Sequence, residues 1–164
     1  MKPSTHKKVI VRKVDRDAMQ GYVLPGSFVV DGKLELMNTA GKVVLIELAQ
    51  IKGVYFVREF AEADISMRKT FATRPRTEGL WVRLKFKDND LLEGLMPNDL
   101  AHLLGDGFLI NPPDNRGNLQ RIFVPKDALA ELIILAVIGG PAGRRRRKPA
   151  VPVVDSRQVP MFTE

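Results

Sequence analysis

Val9-Ile-Val-Arg-Lys-Val-Asp15 and Val82-Arg-Leu-Lys-Phe-Lys-Asp88 are two similar apolar runs that each end in aspartate, and a glycine follows each of them six residues later, at Gly21 and at Gly94. The two copies are offset by 73 positions. Runs rich in β-branched and aromatic residues, bounded by turn residues, are typical of β-strands. The same strand-and-turn pattern therefore occurs twice in the chain.

The correspondence continues along the chain with a slowly growing offset. Gly32 aligns with Gly107, and the spacing Ile46-x4-Ile51-x2-Val54 aligns with Val124-x4-Leu129-x2-Leu132. The offset grows only from 73 to 78, a difference that surface loops tolerate. The pattern indicates two related β-modules in tandem.

The repeat predicts an all-β fold in four segments. We expect a first small β-barrel in residues 1–58, a connector in residues 59–79, a second small β-barrel in residues 80–139 and a disordered basic tail in residues 140–164. Each unit is expected to contain five short strands with a helical turn before the last one, and closure into a barrel would remove exposed strand edges. Units of about 60 residues have barely sufficient cores, so the two should pack together.

Composition limits the environment of the protein. The chain has no cysteine, which excludes disulfides and thiolate chemistry and suits a reducing compartment. The N-terminus lacks the apolar stretch of a signal peptide, and the longest apolar run, Leu132 to Ile138, is too short to span a bilayer. We therefore expect a cytoplasmic protein without membrane association.

The formal net charge of +7 is concentrated near the C-terminus. Residues 139–164 carry six cationic and two anionic side chains, a net charge of +4. Five of these cations are adjacent, at Arg144, Arg145, Arg146, Arg147 and Lys148. A flexible cationic segment can neutralise phosphates without fixed geometry, so it is a candidate site for RNA or another polyanion. A purely solubilising tail is the alternative.

Three further cations are candidates for the same role. Arg116 and Arg121 flank a polar, turn-forming loop that is otherwise a plain hairpin connection, and Lys52 lies at the start of a strand. Arginine and lysine in such positions can contact phosphates or bases.

The residues needed for catalysis are poorly supplied. The two histidines, His6 and His102, have no metal-ligand spacing, and neither a nucleophile elbow, a phosphate loop nor a dinucleotide fingerprint is present. The carboxylates Asp88, Asp90 and Glu93 alternate with apolar residues, as on a solvated hairpin face. The sequence predicts a non-enzymatic protein without a cofactor.

The large aromatic residues alternate with apolar neighbours, which favours positions in the core. Trp81 lies beside Arg83 at the start of a strand, so it is the candidate for stacking on a base. The aromatics expected in the core are Tyr55, Phe56, Phe86, Phe108 and Phe123.

The order of elements resembles that of the Sm-like and SH3-like small barrels. Ile51-Lys52-Gly53-Val54-Tyr55-Phe56-Val57 is similar to the second Sm-like motif, with lysine where arginine is usual. This resemblance implies a role in RNA binding for Lys52. A second resemblance, through Arg74-Pro75-Arg76-x-Glu78-Gly79-Leu80-Trp81 and Leu92-Glu-Gly-Leu-Met-Pro-Asn98, is to an uncharacterised bacterial family and implies no activity.

A third resemblance is to the PilZ receptors for cyclic di-GMP. Their signature is similar to Arg12-x-x-x-Arg16 followed by Asp64-x-Ser66, with Lys69 where glycine is usual. The main hypothesis is a binding module for RNA or another polyanion. The alternative is a protein-interaction or nucleotide-sensing adaptor in bacterial regulation.

Overall fold

The architecture comes from a computed structural model that describes residues 5–60, 68–99, 101, 104–114 and 116–139. The described residues contain no α-helix. The eleven strands are β1 (Lys7–Lys13), β2 (Ala18–Val23), β3 (Val29–Val30), β4 (Lys33–Asn38), β5 (Val43–Glu47), β6 (Ile51–Val57), β7 (Gly79–Phe86), β8 (Leu91–Met96), β9 (Gly107–Ile110), β10 (Leu119–Pro125) and β11 (Leu129–Ile138). Short 3₁₀ turns at Leu48–Gln50 and Lys126–Ala128 precede β6 and β11, as the sequence predicts for the last strand.

The strands form two antiparallel sheets. The larger sheet has the order β3-β4-β2-β1-β6-β10-β9, with β5 paired to the other edge of β4, and the smaller sheet has the order β11-β7-β8. An isolated bridge between Leu95 and Asn111 connects β8 to the chain just after β9. The expectation of an all-β fold is confirmed.

The predicted pair of separate five-stranded barrels is not confirmed. The N-terminal half contributes six strands, β1–β6, and the C-terminal half five, β7–β11. Among the described residues neither sheet closes into a barrel. The halves are also not separate, because β6 pairs with β1 on one edge and with β10 of the C-terminal half on the other. Strands of both halves therefore share one eight-stranded sheet.

Two buried clusters form the interior, and β6 serves both of them. Val54 and Phe56 belong to the first core, together with Val9, Leu34 and other residues of the N-terminal half. Tyr55 and Val57 point the opposite way into the second core, which is built mostly from β7–β11. Alternation along a strand places successive side chains on opposite faces. One strand therefore closes both cores.

Each half also contributes a side chain to the core of the other half. Phe123 of β10 packs in the first core, with its ring centroid 5.0 Å from that of Phe28, while Ile10 of β1 packs in the second core. The predicted core aromatics are all buried, at positions 55, 56, 86, 108 and 123.

The first turns of the two halves make the same backbone hydrogen bonds. In the β1–β2 turn, the Arg16 N–H donates to the Lys13 carbonyl at 3.0 Å; in the β7–β8 turn, the Asn89 N–H donates to the Phe86 carbonyl at 2.9 Å. Positions 16 and 89 both have positive φ, 76° and 71°. The offset of 73 in the sequence thus corresponds to matching local geometry in these turns.

Glu93 is the one buried charged side chain among the described residues, so its predicted place on a solvated face is wrong. Its carboxylate accepts hydrogen bonds from the Phe71 N–H at 3.1 Å, the Trp81 Nε1–H at 3.2 Å and Arg83 Nη2 at 3.3 Å. The Glu93 N–H donates to the Lys69 carbonyl at 2.7 Å. This carboxylate attaches the segment before β7 to β8.

Trp81 is part of the same arrangement. Its indole is half-buried, hydrogen-bonded to Glu93, and packs edge-to-face on Phe71 with centroids 6.0 Å apart. The indole N–H and the contact with Phe71 thus hold Trp81 against its neighbours, and the base-stacking role expected of Trp81 stays a prediction.

Gly21→Ala is expected to destabilise the protein because β2 passes close to β4. A Cβ at position 21 would lie 2.6 Å from the Met37 carbonyl oxygen and 2.7 Å from Leu36 Cδ1. Overpacking of this kind costs about 1–3 kcal/mol. Urea unfolding should show this loss, and Gly26→Ala, where a Cβ meets nothing within 4 Å, should change the unfolding free energy little. Equal effects of the two substitutions would contradict the close approach.

Glu93→Leu is expected to lower the unfolding free energy by about 2–3 kcal/mol, because partly buried donors at Phe71 and Trp81 lose their acceptor. Glu93→Gln retains an acceptor oxygen and should cost less. The chain has one tryptophan, so its fluorescence reports the same site directly. A Glu93→Leu protein as stable as wild type would contradict this role of the carboxylate.

Candidate functional site

A large cleft lies between the first hairpins of the two halves. Its volume is about 1320 Å³. One wall comes from β1, β2 and their turn, the opposite wall from the β7–β8 turn, and β6 lies between them. The apolar part of its lining includes Ile10, Tyr55, Phe86 and Leu92, all members of the second core. The cleft is thus built on the packing that joins the two halves.

The lining of the cleft is predominantly cationic. Five cationic side chains face two carboxylates, which leaves three positive charges in excess. The cations are Arg12, Lys13, Arg16, Lys52 and Lys69, and the carboxylates are Asp88 and Asp90. A concave surface with one sign of charge concentrates ions of the other sign. The cleft is therefore suited to an anionic ligand.

Lys52 connects β6 to the β7–β8 wall of the cleft. Its Nζ donates hydrogen bonds to Asp88 Oδ2 at 2.8 Å and to Asp90 Oδ2 at 3.0 Å, and Lys69 Nζ donates to Asp90 Oδ1 at 2.7 Å. The Lys52 ammonium also lies 5.0 Å from the centroid of the Phe86 ring. This cluster of two lysines and two aspartates joins β6 to the β7–β8 turn.

The pKa values in this cluster follow from the pairing. Desolvation lowers the pKa of Lys52, but the hydrogen bonds that Lys52 donates to Asp88 and Asp90, together with the charges of these carboxylates, outweigh it, so the pKa is raised overall. The hydrogen bond from Lys52 lowers the pKa of Asp88. Desolvation raises the pKa of Asp90, and the hydrogen bonds from Lys69 and Lys52 reverse that effect and lower it. Lys52, Asp88 and Asp90 therefore stay charged near neutral pH.

Arg12 and Arg16 differ from Lys52 because neither forms an ion pair with a described residue. The Arg12 guanidinium lies 5.3 Å from the centroid of the Tyr55 ring. The β1–β6 register shifts between Arg12 and Lys13, and such irregularities redirect side chains and are common beside binding sites. Two guanidinium groups therefore line the cleft without a carboxylate partner in the described part of the chain.

Arg16 has an unfavourable backbone conformation for its residue type. Its φ of 76° lies in the left-handed region, where asparagine is well tolerated and arginine is uncommon. Asn89, in the matching turn, is a residue that this conformation favours. Strained positions concentrate at functional sites. Arg16 thus occupies the cleft in a backbone conformation that is costly for arginine.

Tyr55 supplies a neutral polar group at the base of the cleft. Burial raises the pKa of its phenol, and the nearby Arg12 and Lys52 charges lower it by less. The hydroxyl therefore stays protonated at physiological pH and can both donate and accept a hydrogen bond.

The residues that the sequence singled out are not gathered in one place. Lys52 lines the cleft, whereas Arg116 and Arg121 do not. The Arg116 side chain is 94% exposed with Asp114 at 3.9 Å, and the Arg121 guanidinium lies 5.8 Å from the Phe56 ring centroid. Arg144, Arg145, Arg146, Arg147 and Lys148 lie outside the described residues, as do Asp64, Ser66 and His102.

The main cluster of the cleft escaped prediction because its members are distant in sequence. Lys52 and Asp88 are 36 positions apart, and the sequence places them on different halves. The one available signal was the repeat itself, since Asp15-Arg16-Asp17 and Asp88-Asn89-Asp90 are matching turns with the offset of 73. The sequence indicated Arg12 and Arg16 as candidate binding residues only through the resemblance to the PilZ signature.

Two features are absent from the described ranges. No group of three or more histidine, aspartate or glutamate side chains there could hold a metal ion. No helix in the same part of the chain has the length and apolar character that crossing a membrane requires.

The fold and the cleft define an all-β protein in which two strand-rich halves enclose a cationic groove. Residues 5–136 match the family of unknown function DUF6982, so the chain belongs to that family. This confirms the expectation of a family without an assigned activity. No curated protein and no solved structure matches the chain.

Lys52→Met should lower the unfolding free energy at pH 7 by about 1 kcal/mol, the scale of a partly exposed ion-pair network. The lowered pKa values of Asp88 and Asp90 make the contribution complete at neutral pH, and protonation removes it as the pH falls below the ordinary value of 3.8. The difference between variant and wild type should therefore shrink in acid, measured by urea unfolding across pH.

Lys33→Met is the matched control, because Lys33 pairs with Glu47 at 3.4 Å across an exposed surface. It should have little effect at any pH. A loss for Lys52→Met that persists undiminished at low pH would show that the aspartates are not its cause.

Proposed function

We propose that this protein is a non-enzymatic binding module whose cleft takes up a small phosphate-bearing ligand of the nucleotide class. The observation that carries the proposal is the pair Arg12 and Arg16, which line the cleft and are not paired with any described carboxylate. Arginine forms strong, often bidentate hydrogen bonds to phosphate oxygens.

The surroundings of the two arginines support an anion of limited size. The Lys52, Lys69, Asp88 and Asp90 cluster closes part of the wall with its charges already matched. A ligand phosphate would therefore be drawn to the unmatched cations on the β1–β2 side. The volume of about 1320 Å³ accommodates a ligand of nucleotide or dinucleotide size.

A nucleotide also fits the neutral groups of the cleft. The protonated Tyr55 hydroxyl and the Gln20 amide can hydrogen-bond to sugar or base atoms, and Ile10 and Leu92 provide apolar contact. The sequence resemblance to the PilZ signature through Arg12 and Arg16 supports cyclic di-GMP as the first ligand to test. Regulation by a bound nucleotide would make the protein a sensing adaptor.

The proposal includes the finer architecture expected from the repeat, with each half as a version of one small Sm-like or SH3-like unit. The support is the matching pairing of β1 with β2 and β6, and of β7 with β8 and β11. In this view the cleft forms between the corresponding hairpins of two related units.

Isothermal titration calorimetry with cyclic di-GMP and a panel of ordinary nucleotides tests the proposal. Arg16→Asn is the sharpest variant, since asparagine accepts the left-handed backbone while the substitution removes the guanidinium and its charge. Loss of a charged hydrogen bond should weaken binding by about tenfold or more. Arg116→Asn is the matched control outside the cleft, and its affinity should equal that of wild type.

Absence of binding across the panel, or equal affinities for Arg16→Asn and wild type, would refute the assignment of the cleft. Mass spectrometry of small molecules released from protein purified from its native cell would extend the panel to ligands not anticipated here.

Binding of RNA through the basic tail is the second candidate. It is favoured by the five adjacent cations at 144–148 and by the exposure of Arg116. Removal of residues 143–164 should abolish RNA retention in filter binding and leave nucleotide affinity in the cleft unchanged. RNA retention that survives this deletion, or its absence even at low salt, would exclude the tail as an RNA site.

A further inference from the structure

The strands of the two halves follow one another in a single series with two open ends. The order is β11, β7, β8, β9, β10, β6, β1, β2, β4 and β5, with the β8–β9 step made by the Leu95–Asn111 bridge. At that bridge the Leu95 N–H donates to the Asn111 carbonyl at 2.9 Å, and the Asn111 N–H donates back at 2.8 Å. Within the described residues, β5 and β11 each have a strand partner on one edge only.

The middle of this series contains a joint between the halves. There β10 pairs antiparallel with β6, in a register that places Arg121 opposite Phe56, Ile122 opposite Tyr55 and Phe123 opposite Val54. β10 is the strand before the 3₁₀ turn of the C-terminal half, and β6 is the strand after the 3₁₀ turn of the N-terminal half. The two open ends are the counterparts of these strands, because β5 precedes the first turn and β11 follows the second.

The same positions are buried at the joint and exposed at the open ends. With the offset of 78, Phe123 corresponds to Leu45, and the exposed fractions are 7% and 56%. Tyr55 and Phe56 correspond to Ile133 and Ile134, which are 39% and 49% exposed instead of 6% and 3%. The corresponding positions at the open ends are therefore also apolar, but no strand of the described residues packs over them.

Both open edges lack lysine and proline, two residues that normally prevent strand pairing. β11 runs for ten residues, Leu129–Ile138, with Glu131 as its one charged residue and no proline. β5 is Val-Val-Leu-Ile-Glu, with its charge only at the end. A long apolar edge is a template for pairing with another strand, and bulges can oppose such pairing. The β7–β11 register shifts at Leu129/Glu131 and at Ile134/Ala136. The first shift has its counterpart in β6, between Ile51 and Gly53, and β6 nevertheless pairs with β10.

We propose that β5 of one copy of this protein pairs antiparallel with β11 of a second copy, and that this contact repeats the internal β10–β6 joint. The occupant of each open edge is therefore the complementary edge of another identical chain. The contact is heterologous, so successive copies add head to tail and form a ring if the rotation closes and a filament if it does not.

The internal joint specifies the register of the new contact. Subtraction or addition of 78 places Val43 opposite the partner's Ile134, Val44 opposite the partner's Ile133 and Leu45 opposite the partner's Leu132. Leu45 would then enter the partner's second core as Phe123 enters the first core. The exposed apolar side chains of both edges become buried in one step.

Size-exclusion chromatography with light scattering, over a wide concentration range, tests the proposal on the full chain. Wild type should exceed the monomer mass of 18.3 kDa. Leu45→Lys blocks β5 and leaves β11 intact, whereas Ile134→Lys blocks β11 and leaves β5 intact. Each variant alone should be a monomer. Their mixture should form a one-to-one dimer and stop there, since one intact β5 meets one intact β11.

Leu24→Lys is the matched control, because Leu24 is 42% exposed and lies outside both edges. It should assemble as wild type does. Circular dichroism checks that the variants are folded, and Val43→Glu with Ile133→Glu provides a second pair if either lysine variant is not.

Three results would overturn the proposal. They are a wild-type protein that is monomeric throughout, blocked variants that still assemble, or a mixture that forms no dimer. A chain that assembles only after removal of residues 140–164 would also overturn it, because the edges would then be covered by the chain's own C-terminal segment.

Discussion

The structure depends on β6, a strand of seven residues that closes two cores at once. A half of about 60 residues buries so little apolar surface that its stability alone would be marginal. β6 resolves this because Val54 and Phe56 complete the first core while Tyr55 and Val57 complete the second. Its two edges are both hydrogen-bonded, to β1 and to β10. Separation of the halves would therefore expose both interiors together.

The cleft is a consequence of this shared strand. Because β6 lies between the halves, the β1–β2 and β7–β8 turns face each other across it, and Lys52 of β6 reaches Asp88 and Asp90 on the far wall. The charges of that cluster are matched internally, whereas Arg12 and Arg16 have no such partner among the described residues. The same joint thus organises both the electrostatics of the cleft and the apolar edges at the ends of the strand series.

Much of the strand content was evident from local pattern. Alternating β-branched and aromatic residues located the strands, and Pro125-Lys-Asp-Ala indicated the turn before the last strand. Closure into two barrels was not confirmed, because strand pairing across the halves depends on edges that local sequence does not label. Glu93 was misplaced for a similar reason. Its donors Phe71 and Trp81 lie 22 and 12 residues away in the sequence, so alternation alone suggested exposure to solvent.

The sequence by itself determined the strand-forming segments, the glycines of the recurring turns and the position of the cationic tail, since these depend on neighbouring residues and composition. Only the tertiary structure decided which strands became neighbours, which carboxylate was buried and which cations met in the cleft. Side chains such as Lys52 and Asp88 interact because folding brings separate turns together. Long-range pairing of this kind depends on packing between distant segments, and a one-dimensional pattern carries no direct record of it.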